Sequence, residues 1–353
     1  MDRLTRIHIE NVRAIEKATI DLSATTVLVG ENGAGKSTII ECLELLRLAV
    51  DPQFGRELFQ RHRGPSSLLR RGEQGLTLGA ELRGEDGVSI RYRLSMVSHA
   101  VGSVVISDEL VEASSEGGDW ACVVDRHGDQ GSCTRLDGGY QRLTNLEPGR
   151  PVLSMLLNGE AGDSTNRLIR ALSSIEVHLP FDTRASWAAR TYRQVETLRA
   201  GSTYFPAQRL DLLGTNLTNT WSELSQRDSR HWERTLALVR LGLGDRVDKV
   251  VVLADRGGGN VHLGLRFRDM KDPIMAGDLS DGQLTWLAFV AMTRLNEGRS
   301  ILAVDEPELH LHPHLIGGVL ALLQEVEAPV LLTTHSDALL SALDDPADSV
   351  RVC

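Results

Sequence analysis

A short glycine-rich stretch, LVGENGAGKST at residues 28–38, carries the clearest chemical signal in the sequence. Gly30, Gly35, Lys36 and Ser37 have the spacing of a phosphate-binding P-loop. Glycine lets backbone N–H groups turn inward around phosphate oxygens, and the N-terminus of the following helix attracts the anion. Lys36 can reach the outer phosphates, and Ser37 can bind Mg²⁺. The alternative, an ordinary glycine-rich turn, does not explain the apolar strand before the loop and the helical pattern after it.

An apolar strand that ends in two carboxylates, SILAVDEPE at residues 300–308, is the second candidate. In a doubly wound parallel sheet the carboxyl ends of the strands face the ligand crevice, so we expect Asp305 beside the P-loop. There Asp305 would hold the Mg²⁺ directly or through water, and Glu306 would orient the attacking water as a general base. A strand that ends in a solvated acidic turn is the structural alternative, and the P-loop upstream argues against it.

Two weaker motifs lie on either side of the carboxylates in the sequence. LSDGQ at residues 279–283 precedes a helical pattern, and Ser280 and Gly282 there could form a second anion site or an ordinary N-cap. TTHSD at residues 333–337 closes an apolar strand, and its histidine, His335, is a candidate for contact with the terminal phosphate or the attacking water. A capped or surface histidine is the alternative. LSDGQ alone favours the N-cap, and the order of the motifs gives both of them weight.

These residues need a scaffold that brings strand ends together, and the hydrophobic pattern predicts one. Apolar runs alternate with amphipathic helices near both ends of the chain, which indicates a mostly parallel sheet covered on both faces. Alternating apolar and polar residues from about 76 to 143 indicate an antiparallel sheet, and residues from about 152 to 246 have mainly helical periodicity. A hairpin, VDKVVVLADRGGGNVHLGLRF, with GGGN as its turn, follows.

The predicted fold class is therefore α/β, a P-loop NTPase fold with a mostly parallel core sheet, an antiparallel β subdomain and a helical subdomain. We expect a single head over residues 1–353. Its expected parts are a P-loop lobe at 1–50, an antiparallel β subdomain at 76–150, a helical or insertion region at 151–275, and a lobe with the remaining motifs at 276–353.

The composition narrows the range of partners. The formal net charge of −10 argues against a protein that coats nucleic acid without sequence preference, because such binding needs many neutralised phosphates. No apolar run approaches the ~18 residues that span a bilayer, and the charged N-terminus lacks the core of a signal peptide. We therefore expect a cytoplasmic protein without membrane contact. The cysteines lack metal-ligand spacing and are predicted to be reduced and structural. They are Cys42, Cys122, Cys133 and Cys353.

The order of P-loop, LSDGQ, Asp-Glu pair and strand-end histidine resembles the ATP-binding-cassette class of P-loop ATPases. In that class two heads meet head-to-tail, and each ATP is clamped between the P-loop of one head and the LSxGQ signature of the other. The resemblance implies ATP and Mg²⁺ as cofactors and a homodimer or higher oligomer. Ser280, Gly282 and Gln283 would then act in trans. The residues implied to act in cis are Gly30, Asn32, Gly33, Gly35, Lys36, Ser37, Thr38, Asp305, Glu306 and His335.

Both ends of the chain indicate a branch of that class. The opening RIHIENVRAIEKATIDLSATTVLVGENGAGKSTIIECL looks like that of RecF, SMC and related heads. EPELHLHP at residues 306–313 is similar to the EPExxLHP run of stand-alone ATPases of the AAA-15/AAA-21 or OLD-like type, and SSIEVHLPFD at residues 173–182 also looks like a segment of those proteins. The chain has no long coiled coil and ends soon after TTHS, so we expect no C-terminal Toprim nuclease.

An ATP-driven switch acts on something, and the sequence leaves several possibilities open. The resemblance favours an ATPase that controls a separately encoded effector in bacterial phage defence. The alternatives are a RecF-like ATPase that clamps DNA in repair, a scaffold that binds ATP with little turnover, and a transporter cassette. The locally basic run RELFQRHRGPSSLLRR at residues 56–71 is either a solvated loop or a contact for DNA phosphates or an acidic partner.

Two further features have competing interpretations. The Q-loop glutamine of the class has Gln208 as first candidate and Gln53 as second, and Arg209 is either a phosphate contact or a surface residue. Alternating histidines in HLHPH would share one face of a strand, which suggests a metal site. The interrupting proline and the similarity of LHP to the family run argue against that site. The histidines are His310, His312 and His314.

Overall fold

The computed structural model contains three β-sheets and ten α-helices within the residues it describes. The described residues are 2–98, 104–116, 118–156, 161–184, 197–255, 259–295 and 298–353. Every helix in these ranges is too short or too polar to span a bilayer.

The first sheet carries most of the candidate site, and its five strands are all parallel. They are β3 (Thr25–Val29), β10 (Ile175–His178), β15 (Ile301–Asp305), β16 (Val330–Thr333) and β17 (Val350–Val352). Their order across the sheet is β10-β15-β16-β3-β17. Asp305 lies opposite Thr333 in the ladder, and Thr333 lies opposite Leu28. The carboxyl ends of the three central strands therefore meet at one edge of the sheet, as the sequence pattern predicts.

Both faces of the parallel sheet are buried, which is why its strands are nearly continuous apolar runs. Leu28, Ala303 and Leu331 point into one hydrophobic core, whereas Val27 and Val304 point into another. The side chains alternate between the two cores because the strand period is two residues. The first core lies between this sheet and a large antiparallel sheet, and the second lies under the helices on the opposite face.

The antiparallel sheet has eight strands in the order β2-β1-β4-β5-β6-β7-β8-β9. The strands are β1 (Arg3–Val12), β2 (Ile15–Asp21), β4 (Gly75–Arg83), β5 (Ser89–Ser98), β6 (Val104–Ser114), β7 (Ala121–His127), β8 (Gln130–Thr134) and β9 (Tyr140–Thr144). This sheet confirms the predicted antiparallel part of the α/β fold, and it also contains the N-terminal strand pair.

A small third sheet contains the predicted hairpin. Its strands are β11 (Ser202–Thr203), β12 (Val247–Ala254), β13 (Asn260–Phe267) and β14 (Ile274–Met275). β12 and β13 pair antiparallel as expected. The predicted GGGN turn at residues 257–260 lies partly outside the described residues.

The helices cover the parallel sheet and include the helix after each candidate motif. They are α1 (Lys36–Leu48), α2 (Phe54–His62), α3 (Val152–Met155), α4 (Asp163–Ser173), α5 (Leu217–Ser225), α6 (Ser229–Leu243), α7 (Asp281–Leu295), α8 (Pro313–Gln324), α9 (Asp337–Ser341) and α10 (Pro346–Ser349). α1 packs in the first core and α7 in the second. α7 is buried on most of its circumference between α5, α6 and α8, which explains why its apolar residues show no single face.

Two strands of the parallel sheet were not predicted from the sequence. β10 lies inside the region at 151–275 that was expected to be helical or an insertion, and it forms one edge of the core sheet next to β15. Its sequence, IEVH, contains two charged or polar residues that are buried, so the apolar run expected of a core strand is absent. β17 follows a short helix at the other edge and pairs with β3.

Candidate active site

The loop between β3 and α1 adopts the backbone conformation that the glycine spacing predicts. Gly33 and Gly35 have φ angles of 86° and 105°, a region that side-chain-bearing residues rarely occupy. A Cβ at Gly35 would also lie 3.0 Å from Cγ1 of Ile15. α1 begins immediately after Gly35, so its first N–H groups face the loop. Asn32 is exposed on the loop, and Thr38 is buried in the first turn of α1.

Lys36 is held within this loop by backbone carbonyls. Its Nζ donates to the carbonyl oxygens of Gly30 at 2.8 Å and Glu31 at 3.1 Å. The residue is only 5% exposed, so the ammonium group is fixed over the loop and does not extend into solvent. An ammonium group has three donors, and two of them are used here. The remaining donor suits a phosphate oxygen.

Ser37 and Asp305 meet beside the loop although 268 residues separate them. Ser37 Oγ donates to Asp305 Oδ1 at 3.1 Å, and Thr333 Oγ1 donates to the same oxygen. Asp305 is 7% exposed, and among the described residues no cationic side chain pairs with it. A buried carboxylate without a cation is costly. A hydroxyl and a carboxylate oxygen are ligands that suit Mg²⁺, and two such ligands at right angles in its octahedral shell lie about 2.9 Å apart. Ser37 and Asp305 therefore fit the predicted metal site.

Glu306 and His335 come together at the ends of β15 and β16. Glu306 has a left-handed backbone with φ of 46°, a conformation that costs a non-glycine residue on the order of 1–3 kcal/mol. Its N–H donates to the carbonyl and the hydroxyl of Thr333, at 3.2 and 3.0 Å, which holds the turn. Glu306 Oε1 lies 3.8 Å from Nε2 of His335, and both side chains are partly exposed. The two side chains thus meet at the edge where the parallel strands end.

Glu308 also belongs to this site, although the sequence analysis assigned it no role. Its Oε1 accepts a hydrogen bond from Thr334 Oγ1 at 2.6 Å and another from the backbone N–H of His335 at 2.9 Å. It therefore ties the turn after β15 to the end of β16 and fixes the backbone of His335. Its Oε2 is buried without a hydrogen-bond partner in the described part of the chain. Its sequence signal was its place as the second acid of EPELHLHP, the run that resembles EPExxLHP.

The LSDGQ motif forms a capping box at the start of α7. Gln283 N–H donates to Ser280 Oγ at 3.3 Å, and Gln283 Oε1 accepts from the Ser280 N–H at 2.9 Å. Ser280 is exposed, and a Cβ at Gly282 would lie 3.1 Å from the carbonyl oxygen of His310. Within the described ranges, no hydrogen bond joins these three motif residues to the P-loop, Asp305 or Glu306. The structure thus brings Ser37 together with Asp305 and Glu306 together with His335, while the signature residues cap another helix.

A cavity of about 790 Å³ extends from the metal end of the site. Ser37 and Asp305 line it, together with Arg13 and Arg209. Gln208, the first Q-loop candidate, is exposed. Gln53, the second candidate, accepts a hydrogen bond from Arg56 at 3.0 Å in an exposed helix turn. The cavity thus brings Arg209, and neither glutamine, into the neighbourhood of the metal residues.

The histidine triplet and the basic run have local partners. Nδ1 of His312 and Nδ1 of His314 are 2.6 Å apart and form a hydrogen bond. No group of three or more metal-ligating side chains of His, Cys, Asp or Glu was found in the described ranges.

In the basic run, Arg61 pairs with acidic residues of α1 and α2, and Arg70 pairs with Glu16. These pairs reduce the positive charge that the run offers to a partner. The four cysteines are free thiols.

A buried cluster of ionisable residues joins β10 to the segment that leads into β15. Glu176, His178 and Arg299 are all at most 4% exposed. Arg299 Nε donates to Glu176 Oε2 at 2.7 Å, and His178 Nε2 lies 2.8 Å from Glu176 Oε1. Burial by itself would raise the pKa of Glu176. The hydrogen bond with His178 and the charge of Arg299 outweigh burial and lower that pKa to about 2.

Fold and site together define a P-loop ATPase domain, and sequence comparison assigns the family. The family described as "AAA domain, putative AbiEii toxin, Type IV TA system" matches residues 150–341, more than half of the chain. The chain therefore belongs to this family. A second family, described as "AAA domain", matches residues 6–58, which include the P-loop.

Solved structures of SMC head domains are similar to this chain in overall fold. A structure of an Smc head bound to the C-terminal winged-helix domain of ScpA has a TM-score of 0.49 and 14% identity, over 97% of this chain and 92% of that one. An Smc head with an extended coiled coil, bound to the C-terminal domain of ScpA derived from Pyrococcus furiosus, has the same score and identity, over 98% and 92%. The SMC head from Thermotoga maritima has a TM-score of 0.42 and 12% identity, over 99% and 94%.

Proposed function

We propose that this protein is a Mg²⁺-dependent ATPase that closes a head-to-tail homodimer around ATP and reopens it on hydrolysis. The proposal rests on the fact that the predicted phosphate and metal residues and the signature residues lie on different elements. Lys36, Ser37, Asp305, Glu306 and His335 share one sheet edge, whereas the signature residues cap a different helix. The signature loop is exposed at Ser280, so it is free to face a second copy. A two-fold dimer would then bring each signature to the other copy's P-loop.

The residues at the sheet edge have distinct roles in this proposal. The loop N–H groups and Lys36 bind the phosphates and neutralise charge that develops on the transferred group. Ser37 and Asp305 would hold the Mg²⁺, which when bound would polarise the phosphates and offset their negative charge. Glu306 orients the attacking water and accepts its proton, and the strained turn keeps the carboxylate aimed at the edge. His335 steadies the terminal phosphate from the neighbouring strand.

Steady-state ATP hydrolysis tests the first part of the proposal, with Lys36→Ala as the blank. We expect Mg²⁺-dependent turnover in the wild type and loss of nucleotide binding in Lys36→Ala, because the loop loses its only ammonium group. Lys36→Ala protein that binds ATP with wild-type affinity would show that the loop has another role.

Mixing two inactive variants tests the trans arrangement. Ser280→Arg places a bulky charge in the signature and should spare ATP binding while blocking turnover. Mixed with Lys36→Ala, it can form heterodimers with one intact composite site. Random pairing with independent sites predicts about a quarter of the wild-type rate. A mixture as inactive as its components would contradict the sandwich.

We propose that the ATPase controls a separately encoded effector protein in a bacterial defence system. The description of the family supports this, because it names a toxin of a type IV toxin–antitoxin system. DNA clamping in the manner of RecF is the second candidate, favoured by the basic run at 56–71. Adding double-stranded DNA to the ATPase assay separates the two. Unchanged turnover favours a protein effector, and stimulation favours DNA.

A further inference from the structure

Arg199 has a largely buried side chain that donates hydrogen bonds to two separate segments of the chain. Its side chain is 9% exposed and lies against the loop at residues 276–281, which leads into the signature helix α7. Nη1 donates to the carbonyl oxygens of Gly277 at 3.1 Å and Leu279 at 2.5 Å. Nη2 donates to Oδ1 of Asp281, the first residue of α7, at 2.5 Å. The guanidinium group therefore holds both sides of the loop next to Ser280.

The same side chain also contacts the segment that continues β10. Arg199 Nε donates to the carbonyl oxygen of Thr183 at 2.7 Å. Residues 179–184 leave the carboxyl end of β10, and β10 is the neighbour of the strand that ends in Asp305. The backbone N–H of Leu198 donates to Asp182 at 3.0 Å, which fixes the arginine to this segment. One guanidinium group thus joins the edge of the nucleotide-binding sheet to the signature loop.

The geometry points to Arg199 as the positioning residue that couples the nucleotide edge of one copy to the signature it presents to the other. This inference rests on the proposed function, because a signature loop has a catalytic use only in a composite site. The planar guanidinium can serve carbonyls on one side and a carboxylate on the other at the same time. Asp281 at the N-terminus of α7 is favoured by the helix dipole, and its pairing with Arg199 fixes the direction of the first turn.

The test replaces Arg199 with methionine and measures ATP binding, turnover and complementation separately. Arg199→Met leaves two loop carbonyls and a carboxylate without their donor, so we expect turnover to fall about 10- to 100-fold. The P-loop of the variant is intact, so ATP affinity should stay at the wild-type value. Arg184→Met is the matched control, because Arg184 lies in the same segment but is 71% exposed and pairs only with Asp182 in the described structure. Its turnover should be unchanged.

Mixing Arg199→Met with Lys36→Ala separates coupling from a general structural role. The first variant supplies an intact P-loop and the second an intact signature, so activity should recover to the level reached by Ser280→Arg with Lys36→Ala. If Lys36→Ala protein restores activity to Ser280→Arg but not to Arg199→Met, this inference is wrong and the proposed function still stands. Failure of both mixtures would overturn the composite site itself.

Arg199→Lys keeps the measurement possible if the methionine variant does not fold. A lysine retains the positive charge near Asp281 but cannot span the loop carbonyls, the carboxylate and Thr183 together. For Arg199→Lys we expect reduced turnover and unchanged ATP affinity, and we expect its activity to recover in a mixture with Lys36→Ala protein. Wild-type turnover in either variant, or weakened ATP binding in a folded variant, would contradict the assignment.

Discussion

Neighbouring strands β10 and β15 both carry charged residues, and they use them in opposite ways. On β10, Glu176 is closed in by Arg299 and His178, and all three are almost fully buried. At the end of β15, the Asp305 carboxylate accepts from the hydroxyl groups of Ser37 and Thr333, and the Glu306 carboxylate lies 3.8 Å from a histidine. Charges that find their partners inside the protein hold the frame. The carboxylates of Asp305 and Glu306 have no arginine or lysine partner among the described residues, which suits the proposed binding of metal and substrate.

The largest expected effect follows from replacing Glu306 with glutamine. The amide keeps the size of the side chain but cannot accept the proton of the attacking water, so turnover should fall on the order of 10²–10⁴-fold. ATP affinity should be spared, because the P-loop is untouched. Steady-state kinetics and ATP titration check both statements, with the exposed Glu325→Gln as the matched control. Glu306→Gln protein with wild-type turnover would remove Glu306 from the mechanism.

On β10 the corresponding change should affect stability and leave the chemistry intact. Glu176→Gln leaves Arg299 buried without its carboxylate, which costs about 3–5 kcal/mol of unfolding free energy. Urea denaturation measures that loss, and turnover per folded molecule should be close to the wild-type value. A stable Glu176→Gln protein with low turnover would reverse the contrast between the two strands.

The pH dependence of stability sharpens the same contrast. The folded pKa of Glu176 is about 2 against an ordinary value of 4.5, so its contribution is complete above pH 4.5 and is lost as the pH falls toward 2. The loss should amount to on the order of 3 kcal/mol. The difference in unfolding free energy between wild type and Glu176→Gln should be constant from pH 7 to pH 5 and should narrow below about pH 4.5. A difference that stays constant at pH 3 would show that the pair does not depress this pKa.

The smallest effect is expected at Glu308. Glu308→Ala removes the acceptor for Thr334 and for the backbone N–H of His335, which loosens the histidine without touching Glu306. We expect turnover to fall about tenfold, the equivalent of one lost positioning interaction. Glu308→Gln keeps one acceptor oxygen and should retain most activity. If both variants lose turnover equally, the second carboxylate oxygen has a role of its own.

Partners that belong to recognisable motifs were predictable even across 268 residues, as Ser37 and Asp305 show, and partners outside such motifs were not. The P-loop, the strand before Asp305 and the helices after both motifs follow from local spacing and periodicity. β10 was missed because its buried Glu176 and His178 break the apolar run, and their partner Arg299 lies 123 residues away. The roles of Glu308 and Arg199 were not predicted because their partners are distant in the sequence. The partners of Glu308 are 26 and 27 residues away, and those of Arg199 in the signature loop are 77 to 82 residues away.

The proposed function requires that ATP join two copies of this chain. The most direct measurement is the solution mass of Glu306→Gln protein with Mg²⁺, in the presence and absence of ATP, because slow hydrolysis preserves the bound state. We predict a dimer with ATP and a monomer without it. The double variant that carries both Glu306→Gln and Lys36→Ala should be a monomer in both conditions. A Glu306→Gln mass that does not respond to ATP would contradict the proposed ATP-dependent dimer.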